Sequence, residues 1–228
     1  GSGLSSSAAF EVVIGTILNH EYNEGRFSPL ELAQVGQYAE NTYFGKPTGL
    51  LDTLSCAVGG AICVDFIHPE APGIRRVDIN LEKRGYRLCI TDTRCSHSEL
   101  TAEFAAIRAE MESVAQYFGK PVLREVEKPQ ILRELARIRC VCGDRAVLRA
   151  LHFYGECARA EEEYACLCTG NFRRFLALVA ESGRSSEEYN QNAFCCADPR
   201  HQAVPVALAL SRSLLKGTGA SRLQGGGF

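Results

Sequence analysis

No charge of one sign dominates this chain: 25 Lys and Arg stand against 27 Asp and Glu, a formal net charge of -2. Neither nucleic acid nor an anionic membrane surface is therefore recruited by a strong field. No apolar run approaches the roughly 18 residues that span a bilayer. Residues 1–12 lack the basic start and apolar stretch of a signal peptide, so the chain reads as cytoplasmic. Eleven cysteines are present, yet no CxxC pair occurs and the count is odd. The pairs Cys140/Cys142 and Cys166/Cys168 fall in helix-like stretches, where side chains at i and i+2 point apart. These cysteines read as reduced, structural, small buried hydrophobes. His97, His152 and His201 have no histidine partner at helical spacing and read as structural or surface residues. There is no internal repeat and no low-complexity tract. With 228 residues, 46% of them hydrophobic, one large or two modest domains can bury a core.

What is there begins at once. Gly1, Ser2, Gly3, Leu4, Ser5, Ser6 and Ser7 run into the apolar pattern Phe10, Val13, Ile14, Ile17, Leu18, a glycine and serine loop feeding a helix from Leu4 to about Tyr22. A helix start holds backbone N–H groups without intrahelical partners and a partial positive charge, so it suits a phosphate. A serine-rich helix cap is the plainer alternative. Ser28-Pro29 with Glu31 opens a second helix to Tyr43 that carries Glu40 in its last turns. A Gly45-Lys46-Pro47-Thr48-Gly49 turn then leads to a short helix presenting Asp52. Glu40 as a solvated helix carboxylate and Asp52 as a cap remain the ordinary readings of each alone.

Further on, 61–66, 75–81 and 86–91 read as strands of an antiparallel region. Helices are expected at 98–118, 128–139, 143–167, 171–182 and 201–216, and a closing strand at 220–223 leads to Gly225, Gly226 and Gly227. A triple glycine alone also reads as a linker. Strands early and helices late give an α+β protein, with a boundary near residue 92: a first lobe 1–92 and a second 93–228.

In order, the serine loop, the Glu40-to-Asp52 segment and the Gly219–Phe228 segment resemble the GHMP small-molecule kinases, and within them the galactokinases. The resemblance implies the two-lobed fold of that family, with an S5-like first lobe and a ferredoxin-like second lobe, here incomplete at both ends. It implies ATP-dependent phosphorylation of galactose at the anomeric hydroxyl to galactose 1-phosphate. It assigns the triphosphate cradle to Gly1, Ser2, Gly3, Leu4, Ser5, Ser6 and Ser7, the Mg2+ to Ser7 and Glu40, and the catalytic base to Asp52. Gly49 and Asp52 would meet the sugar, and 225–227 would close the site.

The family places a sugar-contacting tyrosine where this chain has Phe104, which keeps shape but loses a hydroxyl. Arg94-Cys95 replaces a pair of small residues. The family's N-terminal sugar-recognition segment has no counterpart before Gly1, so the chain reads as the central part of a longer protein and is expected to be inactive alone. A galactose- and ATP-binding regulator on the same scaffold, or a GHMP kinase for another sugar or a mevalonate-like alcohol, are the alternatives.

Overall fold

The first helix, α1 (Ser6–Asn23), stops where Glu24 and Gly25 turn into the left-handed region at φ 55 and 69, and the Gly25 N–H returns to the Asn19 carbonyl at 2.8 Å. The structure is a computed structural model that describes residues 5–45, 48–93, 101–196, 198–225 and 227, residues 101 and 102 by their backbone alone. It divides after Leu81 into two units, upstream of the boundary expected near residue 92.

In the first unit, buried Asn19 clamps the connection to the next helix by bonding both the carbonyl and the N–H of Phe27 at 3.1 Å. Helix α2 (Pro29–Thr42) then opens with the reciprocal cap that its sequence announces: the Glu31 N–H donates to Ser28 Oγ, and the Ser28 N–H donates to Glu31 Oε2. The Ser28 N–H and then the Ser28 hydroxyl, both donating to the carboxylate, hold the Glu31 carboxyl below its ordinary pKa. Helix α3 (Leu50–Val58) ends at Gly59 and Gly60, both at positive φ.

A small core joins these helices to an antiparallel hairpin of β1 (Ala61–Asp65) and β2 (Gly73–Val77), paired from Ala61 opposite Val77 to Asp65 opposite Gly73. Ala33, Leu50 and Leu54 are its buried centre, with Ile62, Val64 and Ile74 packed on them. Arg76 reaches back to the Val58 carbonyl at 2.8 Å and finishes the end of α3. The expected strand 75–81 is thus displaced toward its N-terminal side. The expected strand 86–91 has no ladder partner among the described residues, and its alternating Leu88 and Ile90 stand 82% and 59% exposed. Alternation prepares a strand, but only a neighbouring backbone makes one.

Helix α1 departs from its pattern in an informative way. Its regular apolar stripe, Phe10, Val13, Ile14 and Ile17, is exposed, while Ala8, Val12 and Asn19 are buried. Small residues allow the helices to approach: a side chain at Gly36 of α2 would begin 3.4 Å from both Glu11 of α1 and Thr53 of α3. Close approach selected the small-residue face over the most hydrophobic one.

The second unit is helical: α4 (Thr101–Tyr117), α5 (Lys128–Arg133), α6 (Leu135–Cys142), α7 (Asp144–Thr169), α8 (Phe172–Ser185) and α9 (Ala203–Leu215). The 26-residue α7 is its spine, with α4, α6 and α8 packed along it. Val114, Ala115, Ile131, Ile138, Val147 and Ala150 fill the main core. The Tyr154 hydroxyl is spent on the Leu123 and Val126 carbonyls at 3.0 and 2.6 Å, and burial pushes its pKa up to about 12. The single helix expected over 128–139 breaks at Glu134, whose ψ of 11° leaves the helical range.

Two further expectations change. Residues 220–223 form no strand; they cross α8 at Gly183, where a side chain would begin 3.2 Å from the Ser221 carbonyl oxygen and 3.1 Å from Arg222 Cβ. The ten described cysteines are free thiols, but only Cys166 is buried and six are exposed. Along α7 the two-residue step puts Cys166 inward and Cys168 outward, as helical geometry requires. No helix among the described residues is long and apolar enough to cross a membrane.

Candidate active site

The serine loop and the carboxylate 47 residues downstream meet in the first unit: Ser5 Oγ donates to Asp52 Oδ2 at 2.5 Å. Ser5 is the residue before α1, in the left-handed conformation at φ 52 and ψ 46, and its hydroxyl makes no cap to its own helix. A non-glycine residue held there is strained by about 1–2 kcal/mol. The hydroxyl spans to α3 instead, and the N–H groups of the first turn of α1 remain without a side-chain cap, the arrangement that receives an anion. Ser6 and Ser7 are exposed on that turn. Gly1, Ser2, Gly3 and Leu4 lie outside the described residues.

Asp52 is exposed in the first turn of α3, where the helix dipole favours negative charge. Gly49 is the residue before that helix, with an extended φ of -80. The turn entering it is held from α2 by two side chains one helical turn apart: Gln37 donates to the Thr48 carbonyl at 3.0 Å, and Asn41 Oδ1 accepts from the Thr48 N–H at 2.7 Å. The sequence reading overlooked both. Their signal is an i, i+4 pair of amides in the last turns of α2, just before a glycine and proline turn with backbone groups to satisfy. Cys56, one turn beyond Asp52, has its thiol pKa raised by burial and then by the Asp52 charge.

Glu40, in the last turns of α2, is only 4% exposed. A carboxylate so far from water requires polar or cationic company, and α2 packs directly against α1, which carries Ser7. Hydroxyl and carboxylate oxygens are a hard donor set, the type that holds Mg2+ when substrate phosphates and water complete the shell. The residues therefore fit the ion. Among the described residues no group of three or more His, Cys, Asp or Glu forms a closed metal cage.

The other expected site residues belong to the second unit. Phe104 is half-buried in the first turn of α4. Its neighbour Glu103 starts an ionic ladder: Arg145 pairs with Glu103 at 3.2 Å and Glu110 at 2.6 Å, and Glu110 pairs with Arg149 at 2.9 Å. Arg149 is fully buried and donates from Nε to the Asn190 carbonyl at 3.0 Å. Asn190 ends a π-helical turn, Ser186–Asn190, a form frequent at functional sites. Gly225 and Gly227 have φ of 80 and 93, and a Cβ at Gly227 would collide with the Asn192 carbonyl. Gly226, His97, Arg94 and Cys95 lie outside the described residues. His152 is buried against Ser185 Oγ at 2.9 Å, and His201 is exposed beside Asp198.

Comparison with known proteins adds to this geometry. Residues 1–60 match the model of the GHMP kinases N terminal domain. The whole chain is 32% identical to a galactokinase of Streptomyces coelicolor and 33% identical to the galactokinase of Homo sapiens, covering 56% and 54% of those proteins. It thus spans about half the length of the curated relatives it matches. A crystal structure of Lactococcus lactis galactokinase complexed with galactose aligns with 86% of this chain and 50% of its own, with a TM-score of 0.61 at 22% identity. At that identity the likeness shows the fold alone: α+β, helix-rich, and similar to half of that galactokinase structure.

Proposed function

We propose that this chain is the portion of a galactokinase that carries its nucleotide loop and catalytic carboxylate, and that the protein transfers the γ-phosphoryl group of ATP to the anomeric hydroxyl of galactose. Such a reaction draws on the ATP of the cytoplasm. The observation that carries the reading is the Ser5 to Asp52 hydrogen bond, which joins the end of the serine loop to the carboxylate expected to act as base.

Phosphoryl transfer is mainly positioning and charge stabilisation. Residues 1–7 cradle the triphosphate against the start of α1. Ser7 and Glu40 would hold Mg2+, which would supply positive charge to offset that on the phosphate oxygens. Asp52 orients the sugar hydroxyl and takes its proton as the oxygen bonds to phosphorus and the bond to ADP breaks. Gln37 and Asn41 fix the Thr48 turn, and with it the height at which Asp52 is presented. Gly49 leaves room beside Asp52 for the sugar.

Phe104 favours a second reading, a GHMP kinase for a different sugar, because the residue expected to donate a hydroxyl to galactose cannot. A single experiment separates them. The longer protein containing this chain is assayed for ADP release with ATP, Mg2+ and a panel of hexoses. Turnover highest with galactose supports the first reading, another preferred sugar supports the second, and no sugar-dependent turnover removes both.

A further inference from the structure

Two serines of the first unit precede helices, and they do opposite things. Ser28, before α2, is extended at φ -70 and ψ 162, and its Oγ accepts from the Glu31 N–H, the ordinary work of a residue at that position. Ser5, before α1, is left-handed at φ 52 and ψ 46, and its hydroxyl makes no bond to its own helix. That hydroxyl crosses to α3 instead, where it donates to Asp52 Oδ2 at 2.5 Å. Both ends of the bond are firmly held. The Ser5 carbonyl accepts from the Ala9 N–H at 3.1 Å, and Ala8 and Val12 on the same helix are buried. Asp52 stands next to buried Thr53, whose hydroxyl donates to the Leu50 carbonyl at 3.1 Å, and α1 packs directly on α3. Asp52 itself is exposed, so without this donor its carboxylate would turn between rotamers.

We infer that Ser5 is a positioning residue for Asp52: its hydroxyl fixes one oxygen of the carboxylate and leaves Oδ1 to meet the hydroxyl that is phosphorylated. This rests on the reading of Asp52 as the base. It also separates the serines of the loop by task. In the proposed cradle Ser5 contributes backbone, while its side chain serves the base rather than the triphosphate. The loss of that side chain therefore falls on turnover and not on nucleotide affinity. The strained backbone is retained because a relaxed, extended one would return the hydroxyl to α1 and release Asp52.

The test uses the longer protein with Ser5→Gly, Ser5→Asn and Asp52→Asn. Glycine removes the hydroxyl and is at ease in the left-handed region, so the bond is lost without added backbone strain. Ser5→Gly is expected to lower kcat about tenfold, the scale of a small misplacement, with the KM for ATP within about threefold. Asparagine tolerates the same backbone and carries an N–H donor, so Ser5→Asn should recover part of that loss. In the Asp52→Asn background, Ser5→Gly should change the residual kcat by less than about twofold, because no base remains to be positioned. An ATP KM raised about tenfold with kcat unchanged, or a further loss of about tenfold in the Asp52→Asn background, overturns the inference. The bond is also read without turnover, from the denaturant midpoints of Ser5→Gly, Asp52→Ala and the two combined. A combined shift smaller than the sum of the single shifts supports it, and strictly additive shifts refute it. A parent protein without sugar-dependent turnover refutes the functional reading instead, and the midpoints then decide the Ser5 bond by themselves.

Discussion

Asp52 is the residue on which the proposed chemistry turns, and its surroundings make the test clean. Asn at this position still accepts the Ser5 hydrogen bond but cannot take a proton. In the longer protein, Asp52→Asn should keep nucleotide affinity within a few-fold and lower kcat at least about a hundredfold, the scale of losing an acid–base group. Turnover within a few-fold of the parent excludes the base role. Glu40 and Ser7 are tested by a different dependence. Glu40→Gln and Ser7→Ala should shift the Mg2+ concentration for half-maximal rate upward, with the rate recovering as Mg2+ rises. Mg2+ titrations superimposable on the parent's would exclude the pair as ligands.

Among the elements, α7 carries two buried polar residues whose consequences are measurable. Arg149 is fully buried, and it ties α4 through Glu110 to the π-helical turn through Asn190. Arg149→Met leaves the Asn190 carbonyl without its donor and should destabilise the second unit by about 3 kcal/mol, the usual cost of breaking a buried ionic contact. A denaturant midpoint unmoved by the substitution would contradict it. His152 behaves in the opposite sense to an exposed histidine. Burial, together with Arg159 and Arg222, depresses its pKa below 6.5, and these outweigh the opposing pull of Glu156. The folded state thus binds its proton more weakly than the unfolded state does. Stability is retained above 6.5 and falls as pH drops from there toward the depressed value. His152→Gln should flatten that part of the profile. Thermal melts at pH 7.5 and 5.5 that differ as much in the variant as in the parent would contradict this.

For the molecule as a whole, the exposed stripe of α1 has a physical consequence. Phe10, Val13, Ile14 and Ile17 are 67, 56, 41 and 52% exposed on one helix face, a continuous apolar patch of the kind that promotes association. The 1–228 polypeptide is therefore expected to self-associate, and Ile14→Lys with Ile17→Glu to reduce it. Sedimentation coefficients equal in the two would argue against the patch. Much of the architecture was legible in the chain by itself. Ser28 and Glu31 fixed the start of α2, glycines marked the ends of α1, α3 and α7, and the periodic segments became helices, because caps and turns are local physics. The order of the serine loop, Glu40, Asp52 and the triple glycine carried the resemblance on which the proposed phosphoryl transfer rests. Contacts distant in sequence were another matter. Local spacing could not show that Ser5 would reach Asp52 rather than cap α1, or that the small-residue face of α1 would be the one packed. Nor could it show that 86–91 and 220–223 would find no ladder partner among the described residues. Each of these depends on which surface approaches which, and that is a property of the folded packing rather than of any window of residues.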